Sequence, residues 1–117
     1  MGGATLPKKM INKQAHGVPF SVTHTGNPAL ATKAAVAGKR HYITDIMASS
    51  DTAGAIVQVK QGSTVIWQCQ LQVVTTGSLA VMSHSFVTPL RGEIGAAVSI
   101  TVNGTTAEYA NIAGFTL

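Results

Sequence analysis

From Thr64 to Val74 the residues follow a period of two, with an apolar inner face and a mainly polar outer one. Val65, Trp67, Cys69, Leu71 and Val73 fall on one side, and Thr64, Ile66, Gln68, Gln70 and Gln72 on the other. Successive side chains of an extended strand point to opposite faces, so this period of two predicts a strand with a packed inner face carrying Trp67 and a solvent-facing outer one. Val98, Ile100 and Val102 against Ser99 and Thr101 repeat the pattern. Further strands are expected at Ala29–Val36, His41–Ala48, Ala55–Lys60, Leu79–Phe86 and Ala107–Phe115. Ala29–Val36 is alanine-rich and suits a helix by propensity, yet Gly38 offers a turn into the next run, and a strand is preferred.

The breaks between runs carry turn chemistry. Gln61-Gly62-Ser63 suits a tight hairpin, Thr75-Thr76-Gly77-Ser78 a looser one, and Asn103-Gly104 gives the strongest hairpin signal because both residue types accept positive φ. Ser49 to Gly54 forms a longer polar loop, and Pro89 and Gly92 bracket an irregular connection that crosses between sheets. Short strands at this spacing, with no helix required, predict an all-β antiparallel β-sandwich of jelly-roll type over residues 29–117. Residues 1–28 are interrupted by Gly2, Gly3, Pro7, Gly17, Pro19, Gly26 and Pro28. They are read as an extended basic N-terminal arm, with a short extended piece at Phe20–Thr23.

With 117 residues, one domain with a thin core is expected. Only 10% of residues are charged, against roughly 25% in a typical soluble domain. A surface this poor in charge is readily buried against neighbours, as in subunits of assemblies. The charge is also uneven: Lys8, Lys9, Lys13, Lys33, Lys39 and Arg40 all precede the first acidic residue, Asp45. No secretory leader or membrane-length apolar run is read, so synthesis in a cytoplasm is expected.

Catalysis finds little support. His16, His24, His41 and His84 do not stand at zinc-ligand spacing, and Cys69 is the sole cysteine, more simply a buried strand thiol than a nucleophile. No nucleophile elbow or phosphate-binding glycine motif occurs, and Glu93 and Glu108 lack an aromatic sugar platform beside them. The expectation is a protein that is not an enzyme, with no catalytic residue, metal or cofactor. Nucleic-acid binding would suit the basic leader, but single-strand binders interleave basic residues with exposed aromatics on which bases stack. Only three Phe, two Tyr and one Trp are present.

The runs Ala37-Gly38-Lys39-Arg40-His41-Tyr42-Ile43-Thr44 and Gly62-Ser63-Thr64-Val65-Ile66-Trp67 resemble the opening and central strands of small phage virion proteins. Pro89-Leu90-Arg91-Gly92, followed by Gly95 to Val102, resembles their late hairpin, and Ala107 to Phe115 their last strand. Together these cover residues 37 to 117. The chain thus resembles the β-sandwich structural proteins of tailed bacteriophages, including head-decoration (cement) proteins. The resemblance implies a homodimer or homotrimer on the capsid surface of a virion, with the major capsid protein as partner and no membrane or nucleic acid. Lys8, Lys9, Lys13, Phe20 and Val22 of the arm are the candidate capsid contacts, and Lys39 and Arg40 a candidate interface with a carboxylate patch. A tail or fibre component binding a receptor or glycan is the alternative within this class, and a nucleic-acid-binding module the alternative outside it.

Overall fold

The computed structural model describes residues 17–71 and 79–117. Eight strands form: β1 (Val18–Gly26), β2 (Ala29–Lys33), β3 (His41–Ser50), β4 (Ile56–Gln61), β5 (Thr64–Gln70), β6 (Ala80–Arg91), β7 (Val98–Asn103) and β8 (Glu108–Thr116). They build two four-stranded antiparallel sheets in the orders β1-β8-β3-β6 and β2-β7-β4-β5. The chain changes sheet at every connection except β4–β5. That alternation defines an eight-stranded jelly roll and bears out the expected sandwich.

The inner faces meet in a core of Ile43, Ile46, Val57, Val59, Val98, Ile100, Val102 and Ile112, all fully buried. The core is wedge-shaped. Ala29, Ala31, Ala48 and Ala110 let the sheets approach closely on the β1/β2 side, and that is why an alanine-rich run serves as a strand here. On the β5/β6 side Trp67, Met82, Phe86 and Leu90 fill a wider gap. Propensity favoured a helix at Ala29, but packing against the opposing sheet decides the outcome.

Several expectations need correction. The arm expected to reach Pro28 gives way to β1, which pairs with β8 along its whole length from Val18↔Thr116 to Gly26↔Glu108. Its apolar residues Phe20 and Val22 alternate into the core, and glycine and proline at its ends obscure a period of two that is present between them. The sandwich therefore includes β1, and its boundary does not fall at residue 29. The Asn103-Gly104 hairpin is also absent, because β7 and β8 lie in different sheets and no non-glycine residue among those described has positive φ. Gly62 does hold φ +58° in the two-residue β4–β5 turn, as a hairpin led by glycine requires.

The alternation in β5 changes phase. The pairs Val59↔Trp67 and Lys60↔Val65 bracket one extra residue, Ile66, so a bulge keeps Trp67 inward and turns Val65 outward. Val65 is 41% exposed. Strand β6 runs on to Arg91, past Pro89. It is an edge strand, and between Ser85 and Leu90 it loops away from β3, so the missing proline N–H leaves no bond unmade.

Candidate interaction surface

Cross-strand pairs share a face, so the ladder registers fix what the β1-β8-β3-β6 sheet shows to the outside. Four rows cross it: Pro19–Phe115–Tyr42–Arg91, Ser21–Ala113–Asp45–Ser85, Thr23–Asn111–Met47–Ser83 and Thr25–Tyr109–Ser49–Val81. Asp45 and Arg91 alone carry charge. At strand spacings of ~4.8 Å and ~3.4 Å per residue the face measures roughly 19 by 27 Å, about 500 Å². Tyr42 and Phe115 stack in parallel on it at 4.8 Å. Val81 at 63% exposure and Val87, wholly exposed in the β6 bulge, extend the apolar area to the edge. A solvated sheet face normally carries lysine and glutamate, whereas depletion of charge with enrichment in Tyr, Phe and Met is typical of interface centres.

Asp45 is tied into this face. Ser85 Oγ and Thr44 Oγ1 donate to its two carboxylate oxygens, at 2.5 and 2.8 Å. Those bonds, Ser85 first, favour the charged form and lower its pKa, against a weaker opposing effect of desolvation. Asn111 Nδ2 donates to Thr23 Oγ1 at 2.8 Å, Ser21 Oγ at 3.0 Å and Val22 O at 3.2 Å, which ties β8 to the β1 edge. The face is thus cross-linked by side-chain hydrogen bonds but almost neutral.

Apart from Asp45, the described Lys, Arg, Asp and Glu residues gather at the ends. Lys33 and Lys60 lie at the ends of β2 and β4, Lys39 and Arg40 in the β2–β3 connection, and Arg91 at the end of β6. All the described basic residues therefore sit toward one end of the sandwich, where only Glu93 opposes them. Asp51 and Glu108 lie at the other end. Gly17 packs against the Thr116 carbonyl at this basic end.

The expected contact residues divide. Lys8, Lys9 and Lys13 fall outside the described residues. Phe20 and Val22 are half-buried framework residues, with Phe20 edge-on to His41 at 5.5 Å and beneath the Lys33 ammonium at 5.6 Å. Lys39 is exposed. Arg40 is half-buried, its guanidinium donates to Gly92 O at 3.1 Å, and its backbone pairs with Leu117 in both directions. It lines an open cleft of about 720 Å³ with Gln61, Thr64, Ile66, Arg91 and Glu93.

Among the described residues the histidines do not converge, and His16 lies outside them. His24 accepts from the Leu30 N–H in the β1–β2 turn at 3.0 Å. His41 is fully buried between Thr116 Oγ1 and Ala34 O, each at 2.7 Å. A carbonyl only accepts, so Nε2 carries a proton toward Ala34, while the Thr116 hydroxyl can serve Nδ1 as donor or acceptor. His84 stacks on Trp67 at 5.5 Å and meets Phe86 edge-on, propping the wide side of the wedge. Burial pushes the Cys69 thiol pKa up, the opposite of what a nucleophile needs. Among the described residues no group of three or more His, Cys, Asp or Glu could hold a metal, and no helix is long and apolar enough to cross a membrane.

The neutral face was the feature that sequence reasoning missed. Low overall charge signals it, but only the ladder registers collect its residues from four strands.

No protein-family model and no curated protein matches the chain. Among solved structures, nine chains match. One is the insecticidal delta-endotoxin Cry8Ea1 from Bacillus thuringiensis, at 16% identity and a TM-score of 0.42, over 86% of this chain and 20% of the toxin. The chain thus spans about one fifth of that toxin, a likeness too slight to bear on function.

Proposed function

We propose that this protein is a non-catalytic structural subunit of an assembly, and specifically a decoration (cement) protein of a tailed-phage head. The observation that carries the reading is the outer face of the β1-β8-β3-β6 sheet, with four rows of residues and two charges. The basic end, with Lys8, Lys9 and Lys13 preceding it in the chain, supports an acidic partner surface such as a capsid lattice.

The mechanism is mechanical. A contact made by two such faces removes on the order of 1,000 Å² in total. At about 60% apolar area and 25 cal/mol per Å² that is worth ~15 kcal/mol. Association costs of about 4–15 kcal/mol take up between a quarter and all of it, before side-chain ordering is counted. At the upper end of that cost a single contact is weak, and repetition over a symmetric lattice makes it strong.

The test is co-sedimentation with particles from the protein's source, together with copy number relative to the major capsid protein. Hundreds of copies, lost from particles on Val81→Asp with Val87→Asp, support the reading. A handful of copies would move the protein to the tail, and absence from particles would refute it. Deleting residues 1–16 tests the arm without removing β1, and undiminished capsid binding by that truncation would exclude an arm contact. The outward Tyr42–Phe115 stack favours a second reading, a tail or fibre module holding a sugar ring. Glycan binding abolished by Tyr42→Ala would select it.

A further inference from the structure

The end of the sandwich opposite the basic cluster holds two carboxylates, each with one buried oxygen that no hydrogen bond satisfies. Glu108, the first residue of β8, is 2% exposed, and only its Oε2 is bonded, by Ser50 Oγ at 2.7 Å. Its Oε1 is buried without a partner, and so is Oδ1 of Asp51, the residue that follows Ser50. Ser49↔Tyr109 is the last pair of the β3–β8 ladder, which sets Ser50 beside Glu108 and places Asp51 one residue further on, in the β3–β4 loop. Neither carboxylate forms an ion pair among the described residues.

Their surroundings are built of oxygen. Ser50 Oγ accepts from the Thr52 N–H at 3.0 Å while donating to Glu108. Thr52 Oγ1 lies 2.8 Å from Thr106 Oγ1 and accepts from the Thr105 N–H at 3.1 Å. Gly104 passes so close that a Cβ there would overlap Glu108 Oε2, stand 2.8 Å from its Cδ and 3.0 Å from Thr52 Oγ1. Gly104 has no positive φ, so a glycine is required there by proximity.

A buried, unpaired carboxylate oxygen costs several kcal/mol unless a proton or a cation neutralises it. Both atoms are closed to solvent, which excludes a lysine or arginine head from a partner. What balances them is small and positive. We propose that the β3–β4 and β7–β8 loops form a binding site for one hard divalent cation, calcium by preference, held by Asp51 Oδ1 and Glu108 Oε1. Hydroxyl or carbonyl oxygens of the same loops and water complete the coordination. Calcium accepts six to eight oxygens in irregular arrangements, whereas magnesium demands a near-ideal octahedron and gives up its water reluctantly. Two protein carboxylates place the affinity in the weak range, a Kd on the order of 10⁻⁴–10⁻³ M, as in extracellular calcium modules.

The test is thermal unfolding and isothermal titration of the full chain, stripped with chelator, against CaCl₂, MgCl₂ and NaCl. At 5 mM calcium the unfolding equilibrium constant is expected to fall roughly five- to fifty-fold. Magnesium or sodium at matched ionic strength should give a much smaller change. Asp51→Asn should abolish the calcium effect, and Asp45→Asn, on the outer face, should leave it intact. Glu108→Gln is the less decisive variant because it is buried, so the Asp51 variant and the titration heat carry the result. No heat and no stabilisation up to 10 mM calcium would overturn the proposal and assign a buried water to the site. Equal stabilisation by magnesium, or a calcium effect that survives Asp51→Asn, would also overturn it.

Discussion

Gly114→Ala isolates the cost of backbone proximity in this fold. Gly114 sits on β8 between Phe20 of β1 and Ile43 of β3, at the centre of its sheet and beside the β3 bulge. A Cβ there would overlap the Tyr42 carbonyl oxygen and stand 2.9 Å from the Tyr42 carbonyl carbon and 3.0 Å from Ile43 Cα. None of these is the end of a flexible side chain, so relief requires β3 itself to shift. Overpacking costs about 1–3 kcal/mol where side chains can yield, and a backbone obstacle puts this change at or above ~3 kcal/mol. That is a large part of a total stability of about 5–15 kcal/mol. For a domain of roughly 100 residues it corresponds to a drop in Tm of about 12–24 °C. Gly38→Ala is the paired control. Its φ of +74° penalises any side chain, but nothing lies within 4 Å, so only the conformational cost of ~1–2 kcal/mol applies. Urea unfolding followed by Trp67 fluorescence measures both. A Gly114 variant no less stable than the Gly38 variant would refute the claim that strand proximity, and not φ, dictates glycine at position 114.

Three further outcomes follow from single side chains. His41→Ala should cost about 3–5 kcal/mol in urea unfolding, because it leaves a cavity and strands both Thr116 Oγ1 and the Ala34 carbonyl. Ser85→Ala should raise the Asp45 pKa toward the ordinary carboxylate value in a carboxyl-carbon NMR titration. Since the folded-state pKa is depressed, the Asp45 contribution to stability is present above its unfolded pKa and is lost as pH falls through the folded one. The variant should therefore lose part of that acid-side contribution. Cys69 should react with a thiol reagent at pH 8 at least ~10-fold more slowly in the folded protein than in urea, as its raised pKa and burial both lower thiolate availability.

Local pattern determined much of this protein. Alternation in Val98–Val102 and around Trp67, turn chemistry at Gly62 and Gly38, and the want of any helical period gave an antiparallel sandwich, because strand identity depends on neighbours two residues apart. Tertiary structure alone decided the rest. Asn103-Gly104 reads as a hairpin in isolation, yet its strands enter different sheets, and Gly104 serves instead to admit Glu108. Phe20 and Val22 look like part of an arm until β8 supplies the ladder that makes them core. The neutral outer face and the paired orphan carboxylates are assembled from residues up to about 90 positions apart. Sequence spacing carries no signal for either, because both depend on which strands lie side by side, and that is fixed by burial of the opposite faces.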